Sequence, residues 1–446
     1  MADGGDRDWG FRTRALHAGG RPDPTTGARA VPIYQSTSFV FDDTQDAAEL
    51  FALQKYGTIY SRISNPTVAA FEERMASLEG GIGAVATASG QAAEFLTLTA
   101  LAGAGHHLVA TAGLYGGTYT LMDTTMRWLG IDTTFVAEPD PAALPEAIAA
   151  AIRPETRAVY TEIIANPSGA VADLRALADV AHAHDLPLIV DNTFATPWLC
   201  RPMDHGADIV LHSATKFLGG HGTSIGGVVT ESGRFPWDNG RFGHFTEPAA
   251  TYNGVQWVGN FGEYAFCTKL RSEQLRDVGA CLSPFNAFLL LQGVETLPFR
   301  MDAHVANALA VARWLEDHPA VRWVSYAGLD SSPSHDLARR YLPRGAGAIF
   351  CFGLNAGNGP DADGTAARAA GERFIESLQL ISHLANVGDA RTLVIHPAST
   401  THQQLSDEAL AASGVGPDMI RLSVGLEDVD DILWDLDRAL TAAVKA

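Results

Sequence analysis

A chain of 446 residues, 46% hydrophobic and 18% charged, has the composition of a globular enzyme of two or more domains, not of a disordered or membrane-spanning chain. Against 31 basic residues stand 51 acidic ones, and the net charge of −20 argues against nucleic acid or anionic membrane as partners, since both rely on clustered positive charge. The four cysteines, Cys200, Cys267, Cys281 and Cys351, form no Cys-x-x-Cys pair, so the expectation is neither a metal site nor a disulfide framework but reduced thiols in a cytoplasmic protein.

The chain opens on Met-Ala-Asp-Gly-Gly-Asp6, which is acidic and polar and unlike a signal peptide, and no apolar run reaches membrane-spanning length. Residues 1–70 have little periodicity; the turn-rich part from Tyr56 to Pro66 carries Tyr60 and Arg62. An irregular arm of this length is not stable alone, so it is expected to pack on the main domain or on another subunit. Helical spacing follows over 66–78, with Phe71, Met75 and Leu78 on one face. A strand over 83–87 leads into a helix over 90–101 through Ala88-Ser89-Gly90-Gln91, small residues at a helix start whose backbone amides can cradle a phosphate. Gly81-Ile-Gly83 precedes its strand and so is not a dinucleotide fingerprint.

Strands are expected over 107–111, 132–136, 158–161, 188–191 and 209–211, with helices over 142–152 and 173–184 between them. Such alternation means a mostly parallel sheet covered on both faces, with the site at the carboxyl ends of its strands. Ser89, Tyr115, Asn166, Asp191 and Lys216 all fall at or just after such ends. His182 and His184 sit two apart on a helix and point to different faces, which suits a solvated helix end and not a metal pair. The aromatic, glycine-rich stretch 242–260 reads as a loop over the site or at an interface, with core as the alternative. A helix over 284–292 precedes a boundary near 295–305 and a long helix over 301–315. Beyond it, strands over 321–326, 348–354, 378–383 and 419–424, helices over 365–377 and 429–444, and a turn at Gly357-Asn-Gly-Pro-Asp361 read as a smaller α/β domain. The division expected is an arm (1–70), a large domain (71–298) and a small domain (299–446).

The chemistry centres on Lys216. Only Lys55, Lys216, Lys269 and Lys445 are lysines among the 31 basic residues, so positive charge here is habitually arginine. A lysine at a strand end, flanked by Ser213 and Thr215 and followed by Gly219, Gly220 and Gly222, suggests an amine that must lose its proton and attack a carbonyl. Asp191 closes another short apolar strand, 25 residues upstream, since 216 − 191 = 25. A Schiff-base lysine, a carboxylate for a pyridine nitrogen and hydroxyl donors for a phosphate are what pyridoxal 5'-phosphate (PLP) needs. Arg421 lies inside an apolar strand, and its nearest acid, Asp418, is three residues back and faces the other side. That makes Arg421 a candidate partner for a substrate carboxylate.

Ser213-Ala-Thr-Lys216-Phe-Leu-Gly-Gly-His-Gly222 resembles the signature of the PLP-dependent enzymes of cysteine and methionine metabolism, a family that includes cystathionine synthases and lyases and methionine γ-lyase. The resemblance covers nearly the whole chain. Three stretches, from His17 to Gln35, Ser64 to Thr67 and, most discriminating, His383 to His402, resemble the branch that makes homocysteine from O-acetyl-L-homoserine and sulfide, in methionine biosynthesis. The resemblance implies an α/β PLP-dependent transferase fold, aspartate aminotransferase-like (fold type I), with a seven-stranded, mostly parallel sheet. It implies that Lys216 holds the cofactor and shuttles protons, that Asp191 meets the pyridine nitrogen, and that Ser89, Gly90, Gln91, Ser213 and Thr215 line the phosphate. Tyr115 stacks on the ring and Asn166 contacts its phenolic oxygen. Tyr60 and Arg62 reach the site of a neighbouring subunit, where Tyr60 also meets substrate; Arg421 and Asn386 hold the substrate carboxylate. The assembly implied is a homotetramer built from cofactor-sharing dimers, with small-molecule substrates and no metal.

Two departures bear on the alternatives. Where methionine γ-lyases resemble Leu-Tyr-Gly-Cys, this chain reads Leu114-Tyr115-Gly116-Gly117; where they tend to Ser-Leu-Gly, it reads Asn386-Val387-Gly388. Both lower a γ-lyase reading. A cystathionine γ-synthase or lyase, and in another class a non-catalytic PLP-binding regulatory protein, are the remaining alternatives. Acetyl against succinyl ester, and sulfide against methanethiol, stay open at this stage.

Overall fold

The computed structural model describes residues 8–166, 168–355, 364–400 and 415–444. The opening Met1–Asp6, Pro167, the turn at Gly357–Asp361, the end of the third motif (Thr401 and His402) and Lys445 lie outside the described residues.

Seven strands form the larger sheet: β1 (Gly83–Thr87), β2 (His107–Thr111), β3 (Asp132–Val136), β4 (Thr156–Glu162), β5 (Leu188–Asp191), β6 (Ile209–Ser213) and β7 (Gly227–Glu231), in the order β1-β7-β6-β5-β4-β2-β3. The run from β6 to β3 is parallel, and β7 is antiparallel to both of its neighbours. The mostly parallel α/β sheet is as expected; β7 was not anticipated. Successive residues feed opposite cores: Val190 and Val210 join one cluster, Ile189, Ile209 and Leu211 the other. Burial on both faces is why these strands read as unbroken apolar runs. The helix Pro66–Glu79 puts Phe71 and Met75 into the first cluster, and Gly90–Leu101 puts Leu96 and Leu98 into the second.

The helices Pro284–Glu295 and Leu297–Glu316 meet at Thr296, so the long helix starts four residues earlier than expected, with Pro298 fixing its first turn. Beyond them a second sheet holds β8 (Val321–Ser325), β9 (Ile349–Leu354), β10 (Ser382–His383), β11 (Leu393–Ile395) and β12 (Met419–Ser423), in the order β10-β11-β12-β9-β8. Only β10 and β11 pair parallel. The strand expected over 378–383 shrinks to its last two residues. The amides of Gln379, Leu380 and Ile381 donate instead to the Asp435 carboxylate at 2.8–3.1 Å, which holds them off the sheet. Strand β11 was not anticipated.

Two other expectations change. Within 242–260, Phe242, Phe245 and Trp257 are buried; Phe242 and Phe245 pack around Trp237, with Phe245 stacked on it at 4.8 Å, so these aromatics build core. His182 is not merely solvated: its Nε2 lies 2.8 Å from Asp208 Oδ2, whose other contact is the Leu188 amide. The first seventy residues also contain two short helices, Phe11–His17 and Thr44–Phe51. The arm is pinned at its base, where Asn65 Nδ2 donates to Tyr34 O at 2.8 Å, Thr67 Oγ1 to Pro32 O at 2.7 Å and Arg271 Nη1 to Ile63 O at 2.8 Å. Among the described residues no helix is long and apolar enough to cross a membrane.

Candidate active site

A cavity of about 250 Å³ opens at the carboxyl ends of β4, β5 and β6 and is closed from the far side by β12 and the 385–387 loop. Ser89, Gly90, Gln91, Tyr115, Asn166, Asp191, Ser213, Thr215, Lys216, Asn386 and Arg421 all line it. Tyr60 and Arg62 do not; they sit together on the arm, the Arg62 guanidinium 5.4 Å from the Tyr60 ring, with Tyr60 exposed.

One end of the cavity is a helix start. Ser89 caps the helix Gly90–Leu101, its Oγ accepting from the Ala92 amide at 3.1 Å. The first amides of a helix have no partner within it and favour an anion. Gly90 lets that helix start meet the end of β6, because a Cβ there would stand 2.7 Å from Ser213 Cβ. Amides, Ser213 and Thr215 thus converge, which fits a phosphate group.

The Lys216 amine donates to Asn386 Oδ1 at 2.5 Å. Burial, helped by the Arg421 charge, pulls its pKa down to about 8, so a neutral amine is within reach near neutral pH. Gly388, at φ +73°, brings the 386–388 loop onto the lysine turn; a Cβ there would lie 2.7 Å from Phe217 N. From below, the buried Arg300 donates to Phe217 O, Leu218 O and Gly293 O at 2.7–3.2 Å and so fixes the turn that follows the lysine.

Arg421 projects from β12 with Nη1 3.3 Å from Asn166 Oδ1, and among the described residues it pairs with no carboxylate. Asp418 is occupied elsewhere, accepting from Arg322 at 2.8 Å and Trp323 at 3.1 Å. A guanidinium held in a cleft with no described carboxylate paired to it is a ready receptor for a small carboxylate.

Sequence reasoning missed Glu94, Glu162, Ile164, Thr193, Phe194, Ile225, Ala385 and Val387 in the lining. Burial raises the pKa of Asp191, opposed by the Thr193 hydrogen bonds and by His212. Burial and Asp191 raise Glu162 well above the carboxylate range, and burial pushes Glu94 up to about 8. Asp191 is a buried acid in the lining whose charge a cation such as a protonated pyridine nitrogen would favour. A signal for Glu162 did exist: like Asp191, it ends a strand, here after Ala158-Val-Tyr160 and one threonine. Among the described residues no cluster of three or more His, Cys, Asp or Glu could hold a metal.

Comparison with known proteins agrees with this geometry. The family model described as Cys/Met metabolism PLP-dependent enzyme matches residues 12–441. The chain is 49% identical to an O-acetyl-L-homoserine sulfhydrylase of Leptospira meyeri, over 97% of each chain, and 51% identical to a homocysteine synthase of Schizosaccharomyces pombe, over 97% of this chain and 98% of that one. A crystal structure described as an O-acetylhomoserine (thiol)-lyase of Campylobacter jejuni, with a pyridoxyl-lysine phosphate residue, superposes with a TM-score of 0.91 at 37% identity, covering 97% of this chain and 100% of the other. With the lysine, the acid and the phosphate-sized helix start gathered in one cavity, the chain belongs to the PLP-dependent enzymes of cysteine and methionine metabolism.

Proposed function

We propose that the chain catalyses γ-replacement on O-acetyl-L-homoserine, taking up sulfide and releasing L-homocysteine and acetate, as a step of methionine biosynthesis in the cytoplasm. The observation that carries the reading is the Lys216 amine and the Arg421 guanidinium, unpaired with any carboxylate among the described residues, facing one cavity, with Asn386 and Asn166 as their contacts. Bound PLP supplies an electron sink for charge that develops on the substrate carbons. Arg421, with Asn386 beside it, holds the substrate carboxylate, which points Cα at Lys216. Lys216 in its neutral form takes the Cα proton and returns it later. The γ-carbon–oxygen bond breaks, acetate leaves with the electron pair, and the sulfide sulfur forms the new carbon–sulfur bond. Tyr115 covers the pyridine ring, Asp191 meets its nitrogen, and Ser89, Gly90, Gln91, Ser213 and Thr215 hold its phosphate.

Tyr60 and Arg62 complete the site of a neighbouring copy, which makes the working unit at least a dimer and, by extension, a tetramer of such dimers. Their exposure and their position outside this chain's own cavity support that assignment. The division into an arm, a large domain to about residue 298 and a small domain goes with it, one sheet to each of the latter two. No cysteine lines the cavity, which sets it against the thiol-bearing loop that methionine γ-lyases resemble.

The test is to give purified, PLP-loaded protein O-acetyl-L-homoserine with and without sulfide and to quantify homocysteine and α-ketobutyrate. Homocysteine that depends on sulfide, with little keto acid, is the expected result. Keto acid formed regardless of sulfide would replace the proposal by γ-elimination. O-Succinyl-L-homoserine and methanethiol, run in parallel, rank the leaving group and the nucleophile.

A further inference from the structure

Tyr115 is about half exposed, at 51% of its full accessibility, so packing does little to hold its ring in place. What fixes a side chain in that situation is its backbone, and the turn here is held by two backbone hydrogen bonds and one from a side chain. Glu162 Oε1 accepts the Tyr115 amide at 2.5 Å. Gln91 Nε2 donates to Gly117 O at 3.1 Å, and Thr118 Oγ1 donates to Glu94 Oε1 at 2.8 Å. The Asn166 amide lies close enough to the Glu162 carboxyl to favour its charged form. One buried acid at the end of β4 thus anchors Tyr115 and lies beside the amide of Asn166, and both residues line the cavity.

Its place in the sheet adds a second relation. Glu162 and Asp191 are register partners on the parallel strands β4 and β5, so their side chains leave the same face and both reach the cavity. A carboxyl is a costly choice for that position, because burial and a like neighbour both penalise its charge. An apolar residue would be cheaper but could not accept the Tyr115 amide, and the loss of that partner would be destabilising in turn.

We infer that Glu162 is a positioning residue, setting through the amides of Tyr115 and Asn166 where these two side chains stand against the bound pyridine ring. The inference rests on the PLP site described above. Glu162 does not touch the reacting atoms; it acts through Tyr115 and Asn166, while Glu94 and Gln91 secure the far end of the same turn.

The test uses full-length protein, stripped of and then titrated with PLP, as wild type, Glu162→Gln and Glu162→Ala. The readouts are the PLP dissociation constant, the visible circular dichroism of the bound cofactor, and kcat and KM. Glu162→Gln keeps an acceptor oxygen and should hold PLP within about threefold of wild type, whereas Glu162→Ala should weaken it about tenfold to a hundredfold, the scale of one or two lost hydrogen bonds. The dichroic band should collapse in Glu162→Ala alone, and kcat should fall more than KM rises. A merely structural role would lower the unfolding midpoint and leave affinity and dichroism where they were, which overturns the inference. Should Glu162→Ala fail to fold, amide hydrogen exchange in the wild-type holoenzyme decides instead. The Tyr115 and Asn166 amides should exchange at least about a hundredfold more slowly than the Gly116 amide, which opens a helix and has no partner within it. Equal exchange overturns the inference. Failure of wild-type protein to bind PLP at all would sink the cofactor assignment itself, a different outcome from either.

Discussion

The amine of Lys216 rests 2.5 Å from Asn386 Oδ1, across 170 positions of sequence, so the reactive group of the larger sheet takes its resting partner from a loop of the smaller one. A relative shift of the two parts would separate that pair. Asn386→Ala should therefore retain bound PLP but raise KM for O-acetyl-L-homoserine about tenfold, the scale of one lost hydrogen bond to a charged group. Steady-state kinetics at saturating PLP check it; an unchanged KM would mean that the contact plays no part in binding substrate.

Lys216 itself should be irreplaceable. Lys216→Ala removes the only amine among the described residues of the cavity lining and should abolish the visible absorbance of the bound cofactor. It should also cut kcat a hundred- to ten-thousand-fold or more, the scale of losing a general acid–base group. Full activity in that variant would discard the proposed role of Lys216.

The same lysine sets a pH dependence whose sign follows from its depressed pKa. Only the neutral amine attacks the cofactor carbonyl. With the amine near 8, PLP capture by the stripped enzyme should quicken by about tenfold per pH unit on the acid side and level off above 8. The unfolded chain holds this proton up to the free value of 10.5, so burial of the charged amine costs stability below about 8, and that cost fades as pH rises from 8 to 10.5. Stopped-flow absorbance between pH 6 and about 10 measures the first effect. A rate that keeps climbing through 9 would put the amine back in the ordinary lysine range.

Much of this was legible because parallel strands announce themselves. Runs such as Leu188-Ile-Val-Asp191 and Ile209-Val-Leu are apolar on both faces, and a functional residue at their end breaks the pattern. Strand β7 escaped notice because it is a short antiparallel insertion after glycines, and β11 because three residues are too few for any period. The segment 378–383 has strand character, but Asp435, distant in sequence, takes its amides. Glu94 and Glu162 were passed over since a lone carboxylate is by default a surface residue. Their hydrogen bonds to Thr118, Tyr160 and the Tyr115 amide tie them to the site.

Arg421 offers a prediction in which activity and stability part company. Its guanidinium is desolvated, with the Asn166 amide oxygen as its hydrogen-bond partner among the described residues, so it contributes little to the fold. Arg421→Met should leave the unfolding midpoint level or raise it, in line with buried charges replaced by apolar groups. The same change should raise KM at least about thirtyfold, since a paired carboxylate would lose its charged partner. Arg421→Lys keeps charge but not the planar fork and should fall between the two. A matched loss of stability and activity would instead make Arg421 a structural residue.

The arm yields the sharpest test of assembly. If Arg62 serves the neighbouring copy's site while Lys216 serves its own, two separately inactive variants can repair each other. Lys216→Ala and Arg62→Ala protein, mixed, dissociated and reassembled, should recover roughly a quarter of the wild-type sites, because half of the random pairs are mixed and each mixed two-fold pair holds one intact site. Activity of the mixture, compared with that of each variant alone, reads it directly. Mixing that restores nothing, with mixed pairs verified by mass, would place Tyr60 and Arg62 outside any shared site and leave the arm as a cover for its own chain.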